Sequence, residues 1–553
     1  MSPRTLTLAA ALSAALVGPA ALAQSERPDE NALFGGDDAK PAQTEAHPSE
    51  AKSSEQTAPA ERPDEDALFG GDEQRGSTAV DASASGEDAV QRQPSLTEPP
   101  PEPGDRDTDA LSGPMTRSAF DAEEAVDDPL KIGGQFYLRG YAAGTEESSF
   151  GDTNFAAPTL VDGYFDARPT DRLRAFVVGR LSYDPTVPAQ TLTPTGEPGL
   201  ANPRVLLDQA WLRFDIERTV FLTVGKQHVK WGTGQIWNPT DFLSPQRRNP
   251  LAFVDLRTGV YMLKVHVPWE TRGWNFYGIA VMDDLGSNSG ALIDNAGNPT
   301  STPADNPVDS LGRIGGALRA EVVVGPAELG LSAVAQRDRK PRFGFDLSSG
   351  LGPVDVYGEI GLKKSTDQPQ YRLPEGATVD DVLTGKAQVE AFFPSGLTPQ
   401  VTGGVNYSLT YGENDVAVLG VEYFYNSTGY PSSIGYPYLF LQQAYQPLYV
   451  GRHYGAVYLF LDRPGSLERT SFNVFTLANL SDNSLITRLN MTHRALSYLT
   501  VEGYGAVHYG HKGGEFRLGF SIPERQLGDG TVIPGIAVPV PTFELGAGLR
   551  ISI

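Results

Sequence analysis

Seven histidines (His47, His228, His266, His453, His493, His508 and His511) are the side chains best suited to titrate or to hold a metal near neutral pH. Their spacing forms no H-E-x-x-H pair and no other ligand pattern, and the chain has no cysteine. There is no G-x-S-x-G elbow, phosphate-binding loop or dinucleotide fingerprint either. No catalytic, cofactor-binding or metal residue is therefore assigned, and a non-enzymatic role is expected. The pair His508 and His511, followed by Gly513 and Gly514, reads as a solvated turn. With a formal net charge of −24, no nucleic-acid partner is expected.

The most suggestive chemistry is electrostatic. In "VFLTVGKQHVKWG" Lys226, His228 and Lys230 alternate with Gln227, Val229 and Trp231, so on a strand they would share one face. Lys264 and His266 in "YMLKVHV", with Arg213, Arg319 and Arg488, extend the set. A cavity lined by these groups would hold positive potential and favour anions. Asp215, Glu321, Glu359, Glu502 and Glu544 occupy equivalent positions, so a mixed wall of mutually paired charges is the competing reading, and the favoured one.

The elements that must carry these residues are strands. From residue 131 onward the chain alternates apolar and polar residues in short segments broken by Gly, Pro, Asn and Asp. In "FELGAGLRISI" Phe543, Leu545, Ala547, Leu549, Ile551 and Ile553 oppose Glu544, Gly546, Gly548, Arg550 and Ser552. "GEFRLGFSI" reads the same way, with Phe516, Leu518, Phe520 and Ile522 on one face. No stretch after residue 23 is apolar for the roughly 18 residues of a spanning helix. A soluble sandwich or propeller and a membrane barrel both alternate in this manner. Segments near ten residues and a rhythm of tight and long connections favour the barrel. So do aromatics gathered at segment ends, Trp231, Trp237, Trp269 and Trp274 among them, which suit interfacial girdles. The expectation is an all-β fold, a transmembrane antiparallel β-barrel of about 16–18 strands over 131–553.

Two stretches carry a resemblance to Gram-negative outer-membrane, porin-like barrels. The end of the chain, with Gly548, Ile551 and Ile553, looks like their terminal-strand assembly signal, although the last residue is Ile and not aromatic. The run Gly225, Lys226, Gln227, Trp231, Gly232, Asn238, Pro239 and Asp241 resembles a pattern found in several such groups. The resemblance spans about twenty residues and names no substrate. It implies residence in the outer membrane, with lipid and the barrel-assembly machinery as partners and no cofactor. One connection, Tyr430 to Tyr454, is oddly apolar and reads as a lumen constriction, a partner surface or an extension of two strands.

The N-terminal part obeys different physics. Residues 1–23 read as an export signal ending in Ala21-Leu22-Ala23. Residues 24–130 hold 27 Asp and Glu against 8 Lys and Arg, with Pro and Ser abundant, so an acidic, disordered periplasmic segment is expected there. Inside it "ERPDENALFGGD" at 26–37 returns as "ERPDEDALFGGD" at 61–72. Leu33, Phe34, Leu68 and Phe69 are then candidate anchors for a periplasmic protein, and duplication of a neutral linker is the alternative. Two functions compete: a passive channel for small solutes or ions, and an outer-membrane anchor for an export or motility assembly.

Overall fold

The computed structural model describes residues 129–553 apart from short stretches in the connections, of which 293–307 is the longest. The export signal and both repeats lie outside the described residues. Eighteen antiparallel strands form one sheet: β1 (Leu130–Thr145), β2 (Thr159–Thr170), β3 (Leu173–Tyr183), β4 (Arg204–Ile216), β5 (Val220–Gln227) and β6 (Val260–Trp269). Next come β7 (Trp274–Val281), β8 (Gly315–Val324), β9 (Ala327–Ala335), β10 (Arg342–Leu351), β11 (Val354–Lys364) and β12 (Leu397–Tyr411). The last six are β13 (Asp415–Asn426), β14 (His453–Asp462), β15 (Thr470–Asn479), β16 (Ser484–Leu496), β17 (Leu499–Gly510) and β18 (Pro541–Ser552). Each strand pairs with its neighbour in sequence, and β18 returns to β1 in a register running from Gln135↔Ser552 to Thr145↔Pro541. The sheet is thus a closed barrel, which removes the free edges that an open sheet would expose.

Period-two alternation sorts the side chains. Phe165, Leu318, Leu331, Val421, Val457 and Leu545 stand on the outside and are exposed, as an apolar band against lipid requires. Asp166, Arg180, Glu359, Glu422, Arg488 and Glu544 point inward and are buried. Among the described residues no helix is long and apolar enough to cross a membrane. The chain crosses with strands, and the even, closed, antiparallel ring is the build of bacterial outer-membrane barrels.

The connections differ at the two ends. At the end holding the chain terminus the turns are tight: Gly325-Pro326 and Gly352-Pro353 each turn the chain in two residues, with φ of +61° and +68° at the glycines. At the opposite end lie the long connections 184–203, 228–259, 282–314, 365–396, 427–452 and 511–540. The connection 228–259 folds back, so the main apolar core sits inside the barrel, where Trp237, Leu251, Phe253 and Leu256 meet the wall residues Phe424, Tyr454, Tyr458 and Leu477.

Three expectations need correction here. "GEFRLGFSI" is no barrel strand: Glu515–Arg517 form a 3₁₀ turn, and Phe520–Ile522 pair only with Ile536–Val538. Its apolar residues are drawn inward by the neighbouring connection, where Leu518 and Phe520 pack on Tyr436 and Leu439 of the short helix α1 (Tyr436–Leu441). Trp231 and Trp237 are not girdle residues but are buried in the connection 228–259. Only Trp269 and Trp274 flank a tight turn at the barrel rim, edge to face at 5.5 Å. His508 is not at a solvated turn. It lies inward on β17, buried, its imidazole 2.8 Å from the Phe516 carbonyl and 3.1 Å from Glu544 Oε1.

Candidate functional site

The connection 228–259 crosses the lumen. It leaves β5 beside Asp208 and is held on the far wall by two carboxylates, one from β11 and one from β13. Glu422 accepts hydrogen bonds from three successive backbone N–H groups, those of Gln235 (2.8 Å), Ile236 (3.1 Å) and Trp237 (2.8 Å), and from Tyr357 Oη (2.7 Å). Glu359 accepts from the Gly234 N–H, the Thr240 N–H (3.2 Å) and the Thr240 hydroxyl (2.7 Å). Five backbone donors of a segment that makes no sheet are thereby satisfied, and an irregular backbone stays inside a barrel only on that condition.

Local sequence shapes this turn. Gly232 has φ of +98°, and a Cβ there would overlap both Asn238 Oδ1 and the Glu359 carboxylate. A Cβ on Gly234 would run into the Trp237 carbonyl. Trp237 is fully buried, stacks on Phe424 at 5.6 Å and donates from Nε1 to the Leu448 carbonyl at 3.0 Å. It therefore ties this connection to another long one, 427–452.

The rest of the loop is fastened around the ring. Arg342 on β10 donates to the Phe242 carbonyl at 3.0 Å, and Arg180 on β3 donates to the Leu256 carbonyl at 3.1 Å. Phe253 meets Tyr504 of β17 edge to face at 6.1 Å. Strands β3 and β11 to β13 stand eight to ten places apart in a ring of eighteen and so face each other across it. Within the loop Arg257 pairs with Asp241 at 2.9 Å and Asp255 at 2.6 Å. Burial alone would raise the Asp255 carboxyl, but the Arg257 guanidinium holds it well below the usual carboxylate range.

The expected basic stripe is only partly a strand feature. Strand β5 ends at Gln227, and Gly225 at φ +128° interrupts its alternation, so His228 and Lys230 belong to the loop. Lys226 is fully buried with its ammonium 5.3 Å from the Tyr261 ring centre, and His228 lies 3.1 Å from Asp208 Oδ1. Lys264, His266 and Arg213 do face inward. His266 stacks on Tyr277 at 4.5 Å, and the Arg213 guanidinium sits 5.9 Å from the Phe221 ring centre. Arg319 is bidentate on Asp346 at 2.8 and 2.9 Å and also reaches Glu321. Arg180 holds Asp162 in the same manner. The described wall is thus rich in paired charges.

Of the motif residues, Gly232 and Asn238 form the turn and Asp241 takes Arg257. Glu422 and Arg180 went unnoticed in the sequence, and Glu515 reads there only as a polar-face residue of a strand. A carboxylate in mid-strand at an inward position, as in "GVEYFYN", is the signal that could have flagged the first. Glu515, in the connection 511–540, accepts from the Leu448 N–H, Tyr454 Oη (2.6 Å) and Asn479 Nδ2 (2.9 Å), and so joins two long connections. Burial and the neighbouring Asp482 push its carboxyl up to about 8.

These features define a membrane-spanning outer-membrane β-barrel with a loop folded across its lumen. No family model matches the chain, and no curated protein matches it. Among solved structures it is similar to Acinetobacter baumannii OccAB3, at 8% identity over 77% of this chain and 99% of that one, with a TM-score of 0.44. It is also similar to Pseudomonas aeruginosa OccK8 (OprE), at 9% identity over 77% and 98%, with a TM-score of 0.45. A third, Pseudomonas aeruginosa OpdK with vanillate, shows 11% identity over 76% and 99%, with a TM-score of 0.41.

Proposed function

We propose that the barrel is a porin-like channel for the passive passage of small polar or charged solutes, its width set by the connection 228–259. One observation carries this: a closed ring of eighteen strands with a polar inner wall is crossed, among the described residues, by a loop held through two glutamates. A barrel of this strand number is wide enough for an aqueous path. Lys264, His266 and Arg213, with Lys226, His228 and Lys230 at the root of the loop, are proposed to tune which ions pass. The paired charges beside them argue for modest selectivity and not a strong anion preference.

Planar-bilayer recording of the full chain tests the reading. Discrete conductance steps are expected. Glu422→Ala, which leaves three backbone donors without an acceptor at about 1–3 kcal/mol each, should raise the conductance and its noise as the loop loosens. A barrel that is silent both as wild type and as Glu422→Ala overturns the channel.

A further inference from the structure

The outer wall is not uniformly covered. Strands β6 to β10 share two ladder rungs near the long-connection end, Leu263–Ala280–Gly316–Ala335 and Val265–Gly278–Leu318–Ala333–Phe343. The first rung holds Ala280, Gly316 and Ala335 beyond Leu263, and the second sets Gly278 and Ala333 on either side of Leu318. The result is a groove of about 530 Å³ on the lipid side, walled by Leu263 and Val265 on one flank and by Pro341 and Phe343 on the other. One rung further toward the tight-turn end, Phe276 and Leu331 stand exposed and limit it.

The mouth of the groove is basic. The connection 336–341, whose Pro341 lines the groove, and the adjoining turn Leu311–Arg313 carry Arg313, Arg337, Arg339 and Lys340 with Asp284, Asp338 and Asp367, the last accepting from the Lys340 backbone N–H at 3.1 Å. Asp284 is engaged by Arg313 and Arg339. Arg337 is 69% exposed, and Asp338, 3.9 Å away, is 73% exposed. Lys340 is exposed at the groove's rim, beside Pro341.

We infer that this groove binds one acyl chain of an anionic, phosphate-bearing lipid of the outer leaflet, with Arg337 and Lys340 taking the phosphate. An apolar trough in a wall already facing hydrocarbon is filled by lipid, and dispersion contacts reward a chain that fits it. The basic rim selects among lipids, since each Lys or Arg near the surface strengthens the attraction for an anionic headgroup. A zwitterionic lipid gains only the first contribution. The long connections place the groove on the outward side of the membrane, where phosphorylated glycolipids lie.

Native mass spectrometry of the full chain in detergent, titrated with bis-phosphorylated lipid A, the dephosphorylated form and phosphatidylcholine, tests this. One bis-phosphorylated lipid per barrel should bind about tenfold more tightly than either of the others. Gly316→Leu should weaken every lipid, because a side chain there enters the groove without meeting protein. Gly179→Leu, equally open but on β3, should change nothing. Arg337→Glu with Lys340→Glu, both on an exposed turn, should erase the preference for phosphate while leaving acyl binding. Equal binding of all three lipids, or equal loss in the two glycine variants, overturns the site. So does a dimer abolished by Gly316→Leu, which would give the groove to a second copy.

Discussion

Glu515 shows how one carboxyl can decide whether two long connections stay together. Burial and Asp482 lift its pKa to about 8, while the same group free in solution ionises near 4.5. The packed arrangement thus holds the proton more tightly than an open one, and its stability is full below about pH 4.5. It falls as the pH rises, by about 1.4 kcal/mol per pH unit at most, until ionisation is complete above about 8. Hydrogen exchange at the Leu448 and Tyr449 amides, corrected for the intrinsic rate, should therefore accelerate between pH 5 and 9. In Glu515→Gln, which keeps the acceptor but not the charge, that pH dependence should flatten. Exchange with the same slope in both proteins would remove Glu515 from the account.

Single strands follow the rule of opposite faces, and their tolerance to charge should follow it too. Leu545 on β18 is 56% exposed on the outside, so Leu545→Arg places a guanidinium against hydrocarbon at a cost of about 2–4 kcal/mol near the midplane. Arg550→Gln on the same strand faces inward and removes one 3.4 Å ion pair with Glu502. Urea titration of folded barrels in lipid vesicles should show the first well below wild type and the second close to it; equal losses would reverse the assigned orientation. The faces of β18 were readable from "FELGAGLRISI" because a strand of period two carries its environment in its own letters. Trp231, Trp237 and the segment around Phe516 were misplaced because loops have no period. Their burial depends on Glu359, Glu422 and Phe424, which lie more than a hundred residues away or on other strands, and no local pattern reports such a meeting. Lys226 was legible as a charge but not as a buried one, since Gly225 interrupts the alternation through its backbone angle.

For the molecule as a whole, closure by β1 and β18 leaves no strand from which unravelling can begin. The protein should accordingly keep a compact, fast-migrating form in dodecyl sulfate electrophoresis until it is boiled, and a single slow band without heating would contradict the closed ring. The same closure separates the parts of the latch. The crossing loop leaves β5, while Glu359 and Glu422, the groups that fasten it, stand on β11 and β13 across the ring, so the loop is fastened only when both walls are in place. A chain truncated after β13 would already own every carboxylate of the latch, whereas one truncated before β11 would own neither. The traverse thus ties the near wall to the far one, and its fastening is a property of the finished ring and of neither half alone.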